Sequence, residues 1–554
     1  MTHELRGTPA APGAAVAAPW IYRAAVVGAQ VGLSFDEAST AAVVEIDLLG
    51  RRLRAHGREA EAEIMDAQAM MAADPELRAA AAELTAKGAH PADAIVAAGD
   101  GVASQFEAIG DEFLAARGAD VRDVTARIAR IMTGGVAPRL EQRSVVVAVD
   151  LPPSVTVELD RALLAGIALE SGSRTSHAAI LSRSLGIPAV VGVAGVCEAA
   201  MTADALGIDG DVGVVHVDPD AGTTERLASE ATAAGERARV DAGLATALLA
   251  TADGHRVTCA ANIGEPAEAA AVFAAGAEAI GLFRTEFAFA GRTTAPDEAT
   301  QAAAYADVLR AADAKDVVFR LADIGGDKPI AYLPLEPEAN PFLGVRAIRL
   351  AERHPDLLPT QLRAILQASA DTGRRASIMA PMVADDADLD LVLHLVADAC
   401  AAVPDAPAPR VGIMVEIPSA VLLADRLAAR VEFMSIGTND LTQYLLAADR
   451  SNAALADRQD PLHPAVLRAI ARVVEAAAPS GCVVAVCGEM AGDPAGALLL
   501  VGLGVDELSM ESRAFGPVKR AVGARRLPAL VALATAAQQL STADEVRHAV
   551  GTSA

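Results

Sequence analysis

Basic charge is in short supply relative to acidic charge. Its 46 Lys and Arg stand against 72 Asp and Glu, a formal net charge of −26 over 554 residues. A general nucleic-acid binder needs a cationic face that releases counterions, so that class is excluded. Aromatic residues are scarce, at 3% with one Trp, which leaves no stacking platform for single strands. The five cysteines (197, 259, 400, 482 and 487) are scattered, with no CxxC spacing. That argues against a zinc site or a disulfide framework and for a reducing compartment. Long apolar runs are missing too. Hydrophobic residues reach 53%, but much of this is alanine, and no stretch approaches the ~18–20 residues of a membrane-spanning helix. The opening MTHELRGTPAAPGAAVAAPWIY carries Glu4 and is broken by Pro9, Pro12 and Pro19, unlike the clean apolar centre of a signal peptide. A cytoplasmic protein is expected, with neither nucleic acid nor membrane as partner.

At this length about two to four domains are expected. Residues 1–20 read as a short strand with turns. Residues 21–134 read as a helical domain, with apolar positions recurring at helical spacing in AAVVEIDLLGRRLRAHGREAEAEIMDAQ. Met65, Met70 and Met71 fall in it and read as core. Beyond Gly134-Gly135 the texture changes to SVVVAVDLPP, AGIALESG, IPAVVGV and VGVVHVDP, short β-branched strands separated by turns and one helix. Residues 1–20 and 135–220 are expected to form one β/α domain interrupted by the helical domain. Residues 221–254 read as a linker helix.

Residues 255–530 carry a regular alternation. Eight strand candidates occur at 257–263, 279–287, 316–325, 376–383, 410–418, 431–440, 483–491 and 505–510. They are near-continuous apolar runs, as buried parallel strands are, and helical stretches separate most of them. This predicts a (β/α)₈ barrel, followed by a C-terminal tail at 531–554. The fold class is therefore multidomain α/β.

A barrel places its reactive groups at the C-terminal strand ends, where the βα loops meet. Polar residues cluster there: Asn262, Arg284 and Glu286, Arg320 and Asp323, Glu416, Asn439 and Asp440, then Cys487 and Glu489. Arg284, Arg320, Arg346 and Arg450 suit a small polyanion, because guanidinium matches phosphate and carboxylate bidentately. Glu416 and Asp440 are hard oxygen ligands that suit Mg²⁺ together with substrate oxygens. Cys487 reads either as a proton donor or as a buried apolar thiol. His463, in DPLHP, reads as a loop-ordering residue.

A second centre lies far away in sequence. In ESGSRTSHAAILSRSLGIPAVVG, His177 follows the turn 171–173 and begins a helix that Thr175 or Ser176 would cap. The free N–H groups and positive end of a helix would stabilise a phosphate carried there. A capping-region histidine without chemistry is the alternative.

The motifs SRTSHAAILSRSLGIPAVVG, GLFRTEF, RLADIGGDK, NPFLGVRAIR, MVEIP, SIGTNDLTQY, AADRSN and VCGEMAGD occur in this order. Together they closely resemble the enzyme I family of the phosphoenolpyruvate:sugar phosphotransferase system. The resemblance implies a phosphohistidine swivel domain, a helical domain that docks the phosphocarrier protein HPr, and a phosphoenolpyruvate-binding barrel that forms a homodimer. It implies that the phosphoryl group of phosphoenolpyruvate passes to His177 Nε2, releasing pyruvate, and then to HPr, as the first step of sugar uptake. By the same resemblance Arg284, Arg320, Arg346, Asn439, Asp440 and Arg450 contact substrate, Glu416 and Asp440 hold Mg²⁺, and Cys487 is the general acid. Two departures stand out: Ser173 replaces a glycine before the TSH, and Val345 replaces a tryptophan next to Arg346. A dikinase sharing these modules would need an ATP-binding glycine loop before His177, and none is legible.

Overall fold

Proline and glycine punctuate the first twenty residues, and the chain answers with three short strands instead of the one expected: β1 (His3–Arg6), β2 (Thr8–Ala11) and β3 (Ala14–Ile21). The computed structural model describes residues 3–22, 32–55, 59–108, 112–172, 176–289, 292, 294–326, 330, 332–333, 336, 338–450, 452, 455 and 458–552. The chain divides into two compact units, Met1–Glu236 and Arg237–Ala554.

In the first unit five helices follow β3: α1 (Phe35–Ala55), α2 (Glu59–Ala72), α3 (Pro75–Ala86), α4 (Pro91–Ala108) and α5 (Glu112–Met132). Ile46, Met65, Ile95, Val124, Ile128 and Met132 form their shared core. Met65 is fully buried, as the helical pattern predicts, but Met70 is 71% exposed. It lies on the solvent face, so the methionines are not one core stripe.

After the helices the chain continues through β4 (Ser144–Ala148), α6 (Pro153–Glu158), β5 (Leu164–Leu169), α7 (His177–Leu185), β6 (Ala189–Val191), α8 (Val196–Ala200), β7 (Leu206–Asp209) and β8 (Val214–Val217). Three helices stand where one was expected, and β7 is an additional strand. The sheet order is β1-β8-β7-β3-β4-β5-β6-β2. Strand β3 is shared: Ala14–Ala17 pair antiparallel with β7, and Ala18–Ile21 pair parallel with β4. The chain thus leaves the sheet at the end of β3, builds the helices, and re-enters beside the strand it left. Helix α9 (Ala221–Leu244) runs out of the sheet.

The second unit is a closed barrel of eight parallel strands, one in each predicted segment: β9 (Thr258–Ile263), β10 (Ala279–Arg284), β11 (Val317–Arg320), β12 (Ser377–Ala380), β13 (Arg410–Val415), β14 (Phe433–Ile436), β15 (Val483–Val486) and β16 (Glu507–Met510). Strand β16 pairs back onto β9, so no edge is left open. The outer helices are α10 (Glu268–Ala274), α11 (Glu298–Ala312), α12 (Leu357–Thr372), α13 (Asp386–Ala402), α14 (Pro418–Leu422), α15 (Ala424–Ala428), α16 (Thr438–Leu446), α17 (Pro464–Ala477), α18 (Pro494–Leu503) and α19 (Phe515–Gly523). Residues expected as a tail instead continue α20 (Leu527–Ala537) and form α21 (Ala543–Thr552). Ala534, Ala537, Val546 and Val550 from them are buried in the barrel unit's core.

Side chains fill the barrel interior, as in a packed core rather than a pore. Leu282, Val318, Met379, Met414, Phe433 and Cys487 form one buried cluster there. Gly412 on β13 makes room for the Phe433 ring, since a Cβ at 412 would lie 2.6 Å from it. Truncating Phe433 to Ala would cost about 3–5 kcal/mol in lost contacts and cavity. Phe433 begins β14, so this packing lies toward the N-terminal strand ends, opposite the C-terminal ends where the sequence places its candidate site residues.

Candidate active site

A cavity of about 500 Å³ opens at those strand ends, and Arg284, Glu286, Arg320, Asp323, Glu416, Asn439, Asp440, Arg450, Cys487 and Glu489 all line it. Of the polar residues the sequence places at the strand ends and of its four arginines, Asn262 and Arg346 are not in the lining. Asn262 braces the strand ends instead. Its Nδ2 donates to the Cys487 carbonyl at 3.0 Å, and its Oδ1 accepts from Ser509 Oγ at 2.7 Å. His463 likewise orders its loop, capping α17 through an Ala465 N–H donated to Nδ1 at 3.1 Å.

The cradle is built from compensated charges. Glu286 Oε1 accepts from Arg320 Nη2 and from the Asp323 backbone N–H, both at 2.7 Å. Behind it, Thr285 Oγ1 donates to the Arg320 carbonyl at 2.8 Å, and Gln361 on α12 donates to Thr285 Oγ1 at 2.7 Å while accepting from Ala322 N–H at 2.9 Å. These buried bonds fix the end of β11 against the end of β10. Arg320 is buried, which works against its charge. Glu286, Asp323 and Glu416 outweigh that and hold its pKa above the ordinary guanidinium value.

Arg346 is the largest fully buried side chain among the described residues. Asp323 takes it bidentately, at 3.0 Å to Nε and 2.7 Å to Nη2, and Nη2 also lies 3.3 Å from Asp440 Oδ2. Burial opposes its charge here too, and the Asp323 hydrogen bonds more than restore it. Its Nη1 has no hydrogen-bond partner among the described residues. A buried cation survives only when paired, so Asp323 is as necessary as the arginine itself. Arg284, by contrast, is exposed at the end of β10 and makes no ion pair among the described residues.

The carboxylates have an unresolved problem of their own. Burial pushes Glu416 up to about 8, with Asp440 and Asp323 adding to the rise and Arg320 and Arg346 opposing it. Glu416 Oε1 accepts from the Met382 N–H at 2.7 Å. A Cβ at Gly437 would sit 3.0 Å from Glu416 Oε2, so glycine keeps the space beside that oxygen open. Asp440 Oδ1 is buried 3.3 Å from Arg450 Nη1 and has no hydrogen-bond partner among the described residues. Mutually repelling carboxylates and an all-oxygen donor set suit a hard divalent cation. Among the described residues no group of three or more His, Cys, Asp or Glu forms a complete cage. Remaining positions would fall to substrate oxygens and water, as Mg²⁺ prefers.

Cys487 follows β15, 3% exposed. Its Sγ lies 3.8 Å from the Ile436 carbonyl. Burial pushes the thiol up to about 11, while Ser435, Arg320 and Arg284 pull it down and Glu416 adds to the rise. It holds its proton at neutral pH and has cations nearby to receive the negative charge left on giving it up. Asn439 and Glu489 pair across the mouth: the Glu489 N–H donates to Asn439 Oδ1 at 3.2 Å, and Asn439 Nδ2 donates to Glu489 Oε1 at 3.4 Å.

In the other unit, His177 is the first residue of α7. Ser176 is the N-cap: its hydroxyl accepts from the Ala179 N–H at 3.4 Å, and α7 ends on Gly186 in the left-handed conformation. Thr175, the other candidate cap, and Ser173 lie outside the described residues. Val345 is described, and its N–H donates to Glu338 at 3.0 Å.

Glu265 and Gln361 escape sequence reasoning. Glu265 lines the cavity, but a glutamate after a strand end carries no distinguishing signal. Gln361 sits inside an apolar helix pattern, and that misplaced polar residue is the available clue.

Three family models match the chain: the PEP-binding domain of PEP-utilising enzymes over residues 239–526, their mobile domain over 140–213, and their N-terminal domain over 6–117. A phosphoenolpyruvate-protein phosphotransferase of Listeria monocytogenes is 36% identical across 99% of this chain and 98% of its own. One of Streptomyces coelicolor is 42% identical across 91% of this chain and 89% of its own. A multiphosphoryl transfer protein of Xanthomonas campestris is 40% identical over 88% of this chain, which spans 58% of that relative's length.

Proposed function

The chain belongs to the phosphoenolpyruvate-protein phosphotransferases, and from that membership we propose that it moves the phosphoryl group of phosphoenolpyruvate to its own His177, releases pyruvate, and hands the group to the phosphocarrier protein HPr at the start of sugar uptake. One observation carries the reading. Arginines, a carboxylate pair and a buried thiol line a single cavity large enough for a three-carbon phosphoester.

The chemistry divides among these groups as follows. Arg284, Arg320 and Arg450, with Arg346 behind them, hold the phosphate and carboxylate of the substrate and offset charge on the transferring group. Asn439 and Asp440 complete the contacts. Glu416 and Asp440 would hold Mg²⁺, which would supply Lewis-acid stabilisation of the charge on the transferring group. His177 attacks phosphorus through Nε2 in the neutral form of its imidazole, the form that carries a lone pair there. The P–O bond to the enolate breaks. Cys487 Sγ–H then gives its proton to the enolate methylene carbon, yielding pyruvate and a thiolate that solvent reprotonates.

His177 must serve both the barrel and HPr, so the β/α part acts as a swivel domain. The helical insert α1–α5 docks HPr through its acidic residues, weakly and with salt sensitivity. The barrel forms a homodimer, and the protein works in the cytoplasm. No helix among the described residues is long and apolar enough to cross a membrane.

Incubation with phosphoenolpyruvate labelled at phosphorus, with Mg²⁺, tests the core of this. Label is expected on His177, by peptide mapping, and absent from His177→Ala. Full labelling of His177→Ala would remove the proposed carrier.

A further inference from the structure

Two of the site's arginines are held by one aromatic ring. The Phe342 centroid lies 5.8 Å from the guanidinium carbon of Arg346 and 5.1 Å from that of Arg450, both within range of attraction to a π face. The same two cations share one carboxylate: Arg346 Nη2 lies 3.3 Å from Asp440 Oδ2, and Arg450 Nη1 lies 3.3 Å from Asp440 Oδ1. Like charges brought this close repel, and the shared carboxylate offsets part of that repulsion. The electron-rich ring offsets more without offering any group that would compete with an anion.

Phe342 is itself tied down. Tyr444 Oη donates to the Phe342 carbonyl at 2.5 Å. Tyr444 stands one turn after Asp440 on α16, so the (i, i+4) face of one helix carries both the carboxylate and the tether. Burial pushes the Tyr444 phenol up to about 12, so it remains a donor across the working pH range. Asn340, Leu343 and Tyr444 also border a hollow of about 420 Å³, which gives the ring room to shift once the tether is cut.

We propose that Phe342, anchored by Tyr444, is a positioning residue that holds Arg450, at the cavity wall, in register with the buried Arg346 behind it, so that Arg450 is preset to capture phosphoenolpyruvate. The inference rests on the proposed function and adds a determinant of substrate affinity to it. It predicts a specific split: losing the π face weakens capture of the polyanion more than it slows the chemistry of substrate already bound.

The test is single-turnover pyruvate release, with Mg²⁺ and varied phosphoenolpyruvate, on the full chain. Phe342→Leu keeps the bulk and removes the π face. It should raise the half-saturating concentration about tenfold with the maximal rate within about twofold of the parent, as loss of two partly buried cation–π contacts implies. Phe342→Tyr should stay within about twofold on both measures. Tyr444→Phe should raise half-saturation about threefold. Parental half-saturation in Phe342→Leu, a loss confined to the maximal rate, or equal impairment in Phe342→Tyr overturns the inference. If Phe342→Leu does not fold, parental half-saturation in Tyr444→Phe overturns it instead. A parent chain that releases no pyruvate and gains no phosphate overturns the proposed function, and the inference falls with it.

Discussion

At the barrel mouth, Arg320, Arg346, Glu286, Asp323, Glu416 and Asp440 compensate one another's charge within a nearly buried network. At the start of α7, one serine hydroxyl caps a nine-residue helix. The contrast follows from the two roles proposed. Holding a small polyanion needs many fixed cations, and buried cations need counterions to survive before the ligand arrives. Carrying a phosphate on an imidazole needs a helix start and freedom to leave. The mouth should therefore be sensitive to perturbation and the helix start tolerant of it.

Asp323→Ala should give the largest effect. It removes the bidentate partner of the fully buried Arg346 and leaves an uncompensated charge, at about 3–5 kcal/mol. Phosphoenzyme formation should fall by on the order of 10³-fold as the cradle relaxes. Thermal unfolding and rapid-quench labelling read the two effects. A variant with parental stability would show that Arg346 finds another counterion and that the network is redundant.

Cys487→Ala comes next. Pyruvate release should fall about 10²-fold, the lower end of what a positioned proton donor is worth, with little change in unfolding temperature. Burial holds the thiol at about 11. The parent's rate should therefore show no loss from this group between pH 7 and 9, and a decline as pH rises toward 11. Alkylation of Cys487 at neutral pH should be slow for the same reason.

Glu416 supplies a smaller effect, one of sign. Its folded value of about 8 lies above the ~4.3 of an unfolded glutamate. The stability it contributes is full below ~4.3 and is lost as pH rises through about 8. The metal-free barrel should unfold a few degrees lower at pH 9 than at pH 6. Mg²⁺ requires the deprotonated carboxylate, so the stabilisation it gives should be larger at pH 9 than at pH 6. Glu416→Gln should flatten both dependences. Equal Mg²⁺ stabilisation at the two pH values would detach the metal from this carboxylate.

The mouth was legible in the sequence because buried parallel strands are continuous apolar runs, and the polar residue ending each run stands out against them. What could not be read was depth. Arg346 and Arg450 look alike in the sequence, yet one is fully buried and the other borders the cavity. The bidentate grip of Asp323, distant in sequence from both, falls on Arg346. The first twenty residues misled for a different reason. Pro9 and Pro19 argue against strands, but β2 is a sheet edge, and Pro19 lies in the half of β3 that pairs only with β4. A missing N–H is tolerated in both places. The strand β7 (LGID) is four residues long, too short for its alternation to register.

The tolerant side of the comparison is tested by Ser176→Ala. Losing an N-cap hydroxyl costs about 1 kcal/mol, a few degrees in the unfolding of the first unit, while the barrel's transition should not move. Phosphoenzyme formation should drop less than about tenfold, because the backbone N–H groups at the helix start remain and only their fixation weakens. Ser176→Thr should restore the stability, since its hydroxyl caps nearly as well. Were Ser176→Ala to abolish phosphorylation as fully as Asp323→Ala, the start of α7 would have to be as tightly preorganised as the barrel mouth, and the division of labour between a rigid cradle and an undemanding carrier would be wrong.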